Sequence, residues 1–196
     1  IRLLSGILGL WSASATLVVS GIPNQAHGEP MTETESRPLG GTGRIRSWSS
    51  LQQLRNQECV LCGDLGGTNV RFGLCAANST EVNFIEKFSL RDYEDLDHVI
   101  GVYLRPKLQS GDISIGACCL AIAGPIINHK VKMTNTDWEF STDTIRKNLK
   151  IQHAALINDF AAIAYSVPQL KPQDTIEIGQ PTNGEASGPI AVVGPG

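Results

Sequence analysis

Residues 59–69 read CVLCGDLGGTN, and two signals overlap there. Cys59 and Cys62 form a C-x-x-C pair, the spacing of a redox couple or of half a zinc site. Asp64, Gly66, Gly67, Thr68 and Asn69 form an acidic residue followed by a Gly-Gly-Thr-Asn turn, the composition of a phosphate cradle. The apolar run 59–63 reads as a buried strand. Side chains alternate faces along a strand, so Cys59 and Cys62 point to opposite sides. Their Cα atoms then lie about 10 Å apart, whereas a disulfide spans less than about 7 Å. A thioredoxin-type pair sits at a helix start, and no second C-x-x-C or Cys/His pair completes a zinc site. Cys118 and Cys119 are adjacent, a poor ligand spacing, and His98, His129 and His153 show no metal spacing either. The cysteines read as core packing. In the turn, Gly66 and Gly67 lack a Cβ, so their N–H groups approach an anion closely. Thr68 adds a hydroxyl. Asp64 beside phosphates is useful only with a cation between them, which implies Mg²⁺. A plain β-hairpin explains the same residues when they are taken alone. The chain has neither a G-x-x-x-x-G-K-[ST] loop nor a G-x-G-x-x-G fingerprint.

Working outward, 196 residues allow one ordinary domain plus a tail, or one and a half domains. With 41% hydrophobic and 18% charged residues the composition is that of a globular protein. A net charge of −3, with no run of Lys and Arg, argues against a nucleic-acid partner. Five cysteines, an odd number set in apolar runs, do not make a disulfide framework. Residues 1–57 differ from the rest and read as an extension, linker or targeting-like segment. The stretch 7–19 is apolar but too short and too interrupted by Ser for a membrane span. It has the look of a secretory hydrophobic region, and an untranslated extension is the favoured alternative. The expected location is cytoplasmic, or an organelle or the exterior if residues 1–30 are a real leader. Residues 49–57 have the composition of a short polar helix.

From Glu58 the punctuation becomes regular. Strands are expected over 59–63, 70–75 and 81–89, joined by short turns as an antiparallel meander. A helix is expected over 95–109, with Leu96, Val99, Ile100, Tyr103 and Leu104 at helical spacing. Strands follow at 114–123, 130–133, 154–157 and 190–193. Helices are expected over 142–149, capped by Ser141, and from Asn158-Asp159 onward. This order gives an α/β fold: a mixed sheet of about five strands with an antiparallel three-strand start and flanking helices.

Three further stretches could carry chemistry. LINDF, residues 156–160, places Asn158 and Asp159 at the carboxyl end of a buried strand, where open α/β sheets hold ligands. Asn158 and Asp159 together can grip a polyol, and Asp159 can take a proton from one hydroxyl. Asp159 as a simple helix cap is the plainer reading. KMTNTDWEFS, residues 132–141, sets Thr134 and Asn135 before an aromatic pair, a mixture typical of sugar sites. AIAGPI, residues 121–126, ends a strand in a tight turn. Arg71 and Lys130 read as surface charges.

Taken in order, GDLGGTNVRFGL, AIAGPI, MTNTDWEFS, INDFAAIA and PIAVVGPG resemble the bacterial-type glucokinases of the actin-like ATPase and sugar-kinase superfamily. The resemblance runs over residues 58–196. It implies an actin-like ATPase (ribonuclease H-like) domain and ATP-dependent phosphorylation of glucose at the 6-hydroxyl. By resemblance, Asp64 helps hold Mg²⁺, and Gly66, Gly67, Thr68 and Asn69 surround the ATP phosphates. Gly194 and Gly196 begin a second glycine loop on the nucleotide side. Thr134, Asn135, Asn158 and Asp159 bind the sugar, with Asp159 as general base. In the family a larger second domain follows, so the sequence is expected to be the N-terminal domain, cut at the start of the second glycine loop and inactive by itself. A non-catalytic sugar-binding or regulatory protein, or a kinase for another hexose, is the alternative. The resemblance admits a homodimer at full length, and the sequence gives no oligomeric state.

Overall fold

The computed structural model describes residues 18–20, 57–77, 79–109, 111, 113–170, 174–176 and 190–193. The expected polar helix over 49–57 lies outside them, except that Gln57 begins a strand. Gly194, Gly196 and Asn78 also lie outside the described residues. β1 (Val18–Ser20) pairs antiparallel with β9 (Ala191–Val193) as a separate two-stranded sheet.

The main sheet holds β2 (Gln57–Leu65), β3 (Asn69–Ala76), β4 (Val82–Ser89), β5 (Ile113–Ile122) and β8 (His153–Asn158). Its strand order is β4-β3-β2-β5-β8. β2, β3 and β4 form the expected antiparallel meander, while β2, β5 and β8 run parallel. The sheet is therefore mixed, with five strands. β2 reaches two residues further than the apolar run 59–63, so Asp64 lies inside the strand. The ladder to β5 extends it there, because Asp64 and Leu65 pair with Ala121 and Ile122.

Alternation sorts β2 between two apolar clusters. Cys59, Leu61 and Leu65 enter a large cluster with Phe72, Leu74, Tyr103 and Leu120, whereas Val60 and Cys62 enter a smaller one with Cys75, Cys119 and Ala121. Cys59 and Cys62 thus face opposite sides, as the strand reading requires. All five cysteines are buried, and none of them is in a disulfide.

Helix α1 (Leu96–Leu108) starts where Asp95 Oδ1 accepts the His98 N–H at 2.7 Å. Its five expected apolar residues, Leu96, Val99, Ile100, Tyr103 and Leu104, are all buried in the large cluster. Full burial of each contributes about 1.5–3 kcal/mol, so this stripe fixes the helix on the sheet. Tyr103 Oη donates to the Phe84 carbonyl at 2.9 Å, and buried Lys107 donates to Glu86 at 2.8 Å. Both tie α1 to β4.

β6 (Lys130–Lys132) pairs antiparallel with β7 (Glu139–Ser141) as a hairpin of its own. β7 was not expected, since three residues that run straight into a helix carry no alternation to read. Helix α2 (Thr142–Leu149) has the predicted bounds. Ser141 Oγ accepts the Thr144 N–H, and Thr144 Oγ1 accepts the Ser141 N–H in return, a reciprocal cap. Helix α3 (Asp159–Ser166) follows β8 directly and packs Ala162 into the smaller cluster. Among the described residues no helix is long and apolar enough to cross a membrane.

Candidate functional site

Register brings the candidate residues to one edge of the sheet. Leu65 of β2 pairs with Ile122 of β5, and Ile122 pairs with Asn158 of β8. The carboxyl ends of three parallel strands thus form one row. At the usual strand spacing Leu65 and Asn158 are about 10 Å apart. The Gly-Gly turn, the Gly124-Pro125 turn and the start of α3 all leave from this row. The first two are linked directly, because the Ala123 N–H donates to the Leu65 carbonyl at 2.9 Å.

The turn between β2 and β3 is tightly built. Gly66 donates its N–H to the Asn69 carbonyl at 3.0 Å, and the Leu90 N–H donates to the Thr68 carbonyl at 3.0 Å. The Gly66 N–H is therefore used inside the turn. Among the described residues the N–H groups of Gly67 and Thr68 donate to no protein acceptor, which leaves two adjacent donors for an anion. Neither glycine has a left-handed φ.

Asp64 is 9% exposed and shares the sheet face of Val60 and Cys62. Arg71 Nη1 donates to Asp64 Oδ2 at 3.2 Å. Arg71 is therefore not the surface charge expected from the sequence. It stands directly across the hairpin from Asp64. The signal was available in outline: a turn closed between residues 66 and 69 pairs 65 with 70 and 64 with 71. Lys130 is exposed, as expected.

At β8 the cap is Asn158 rather than Asp159. Asn158 Oδ1 accepts the N–H groups of Phe160 at 3.1 Å and Ala161 at 3.3 Å. Asn158 Nδ2 donates to Asp159 Oδ1 at 2.9 Å, and the Phe160 N–H donates to the same oxygen at 2.9 Å. One carboxylate oxygen of Asp159 is thus held by two donors. Among the described residues the other, Oδ2, accepts no hydrogen bond. Asp159 is half-buried and exposed Phe160 adjoins it.

Thr134 and Asn135 lie at the exposed tip of the β6–β7 hairpin, which is anchored below by buried Met133, Trp138 and Phe140. Thr134 Oγ1 donates to Asn135 Oδ1 at 3.3 Å, and Asn135 Nδ2 donates to the Gly67 carbonyl at 3.2 Å. The hairpin tip therefore touches the Gly-Gly turn. Among the described residues no three His, Cys, Asp or Glu side chains gather as a metal cage. A cation at this edge would take Asp64 as its protein ligand and complete its shell from phosphates and water, the usual manner of Mg²⁺.

A mixed-sheet α/β domain, with polar loops gathered at the carboxyl edge of its parallel strands, is what the fold and this edge define. The sequence model of the family described as Glucokinase matches residues 61–196. A glucokinase of Tolumonas auensis is 41% identical over 139 residues, covering 71% of this chain and 42% of that protein. A glucokinase of Erwinia tasmaniensis is 41% identical over 137 residues, covering 70% of this chain and 41% of its own. The crystal structure of a glucokinase from an Antarctic psychrotroph superposes with a TM-score of 0.56 at 31% identity, covering 64% of this chain and 40% of that one. The chain belongs to the glucokinase family. It spans about two fifths of the length of the curated relatives it matches.

Proposed function

We propose that this chain carries the phosphate and sugar edge of an ATP-dependent glucose phosphotransferase, which moves the γ-phosphoryl group of ATP to the 6-hydroxyl. The observation that carries the reading is the row of three strand ends. It sets a buried carboxylate beside two open backbone donors and, about two strands away, a second carboxylate with an open oxygen. Family membership supports the same reaction class. In this reading the domain concerned is residues 58–196, with Gln57 already paired in its sheet and Val18–Ser20 paired with β9.

Each residue then has a distinct task. The N–H groups of Gly67 and Thr68 take phosphate oxygens, and Gly66 and Asn69 close the turn that presents them. Asp64 would hold Mg²⁺, with Arg71 orienting its carboxylate. Magnesium, when bound with the nucleotide, neutralises charge on the phosphoryl group in flight. Thr134, Asn135 and Asn158 bind sugar hydroxyls. Asp159 Oδ2 accepts the proton of the attacking hydroxyl, while Oδ1 stays fixed by Asn158 and Phe160. General-base help of this kind contributes about 10²–10⁴ in rate. Gly194 and Gly196 belong to the nucleotide side of the same reading.

The test is turnover by the full-length protein with Mg-ATP and a panel of hexoses. Formation of glucose 6-phosphate and ADP is the expected result. Tight glucose binding without turnover would favour a regulatory sugar-binding protein. Preference for another sugar would reassign the acceptor.

A further inference from the structure

The β6–β7 hairpin pairs with itself and not with the main sheet, yet its tip meets the phosphate turn. Asn135 Nδ2 donates to the Gly67 carbonyl at 3.2 Å across 68 residues of sequence. A Cβ built on Gly67 would lie 2.5 Å from that same nitrogen. The carboxamide therefore occupies the space that a side chain at 67 would need. Thr134 Oγ1 holds Asn135 Oδ1 from the other side, which orients the amide with its nitrogen toward Gly67.

The consequence follows from the peptide group itself. The Gly67 carbonyl and the Thr68 N–H belong to one planar trans unit, and they point in opposite directions from it. Holding that carbonyl on Asn135 therefore aims the Thr68 N–H away from the hairpin. That N–H is one of the two donors the turn leaves open. We propose that Asn135 is a positioning residue for the phosphate turn, so that sugar binding at the hairpin tip and nucleotide binding at the turn are energetically coupled through the Asn135–Gly67 contact. This rests on the function proposed above. A sugar hydroxyl seated at Thr134 and Asn135 redistributes the hydrogen bonds of the carboxamide. By linkage the nucleotide changes sugar affinity by the same factor.

The experiment measures KM for ATP at saturating glucose, and KM for glucose at saturating ATP, in the full-length protein. Asn135→Ala is expected to raise KM for ATP by about five- to tenfold, the effect of losing one positioning hydrogen bond. Because Asn135 is exposed, the thermal midpoint should stay within about 2 °C. Gly67→Ala alone should raise KM for ATP at least about tenfold, since its methyl displaces the carboxamide. In the Asn135→Ala background the same change should cost less than about threefold, a coupling measurable by a double-mutant cycle. If Asn135→Ala moves only the glucose KM, or if the two substitutions act independently, the coupling is absent and Asn135 is a sugar ligand alone. Wild-type turnover with independent effects overturns this inference and leaves the function standing. A wild type that does not turn over removes the function, and this inference with it.

Discussion

Asp64 and Asp159 stand at the carboxyl ends of β2 and β8, two parallel strands separated by β5, yet the chain treats the two carboxylates differently. Asp64 is buried within β2 and paired with Arg71 across the hairpin. Asp159 is half-buried at the start of α3, with one oxygen held by Asn158 and Phe160 and the other open. A buried carboxylate held by a guanidinium is suited to a fixed charge. A carboxylate with one fixed and one open oxygen is suited to taking a proton in a defined direction. The difference originates in local structure. A ladder on both sides encloses Asp64, whereas β8 gives way to a helix at Asp159 and frees it from the sheet.

The largest effect that would sharpen this contrast is on turnover. Asp159→Asn in the full-length protein should lower kcat by about 10²–10⁴, with glucose affinity changed only a few-fold. A kcat within threefold of wild type would remove Asp159 from proton transfer. At the Asp64 strand the expected effect is on packing. A Cβ at Gly63, the residue before Asp64, would lie 2.6 Å from Leu120 Cδ2 and 3.1 Å from the Phe72 ring. Both neighbours are fully buried, so Gly63→Ala should cost about 1–3 kcal/mol in urea unfolding. An unchanged midpoint would mean that this strand end is looser than described.

The Asp159 region should show a smaller, capping effect. Asn158→Ala is expected to lose about 1 kcal/mol of stability, because it removes the side-chain acceptor of the Ala161 N–H and one of the two acceptors of the Phe160 N–H. Asn158→Asp should keep the cap, so equal losses from both variants would contradict the assignment. The smallest effect is a pH dependence shared by both regions. Burial, and then neighbouring Cys75, push the Cys59 thiol up to about 11. Burial likewise raises Cys62, Cys75 and Cys118. Unfolded thiols titrate near about 8.5, so the folded state keeps its protons longer. The Cys59 contribution to stability is complete below about pH 8.5 and is lost as pH rises through about 11, and the other raised thiols act in the same direction. The urea midpoint should fall over that window, and a flat profile would show that the thiols are hydrated.

Much of this was legible in the chain. Helix α2 had its bounds marked by Ser141, and α1 by a stripe of five apolar residues, because caps and 3.6-residue periodicity are local signals. The meander was legible from its turns. What escaped was register and long-range contact. By sequence Arg71 reads as a surface charge, because its partner Asp64 lies across a hairpin. The contact of Asn135 with Gly67 joins residues 68 positions apart, and no local pattern encodes it. By sequence Asp159 reads as the cap, yet Asn158 performs that task, since the strand runs one residue further than its apolar core.

The division of labour between the two carboxylates is tested most directly by titrating full-length Asp64→Ala separately with glucose and with a non-hydrolysable Mg-ATP analogue. The account predicts that glucose affinity without nucleotide stays within about twofold, while nucleotide affinity falls at least about tenfold. Equal losses for both ligands, or an unchanged nucleotide affinity, would contradict it.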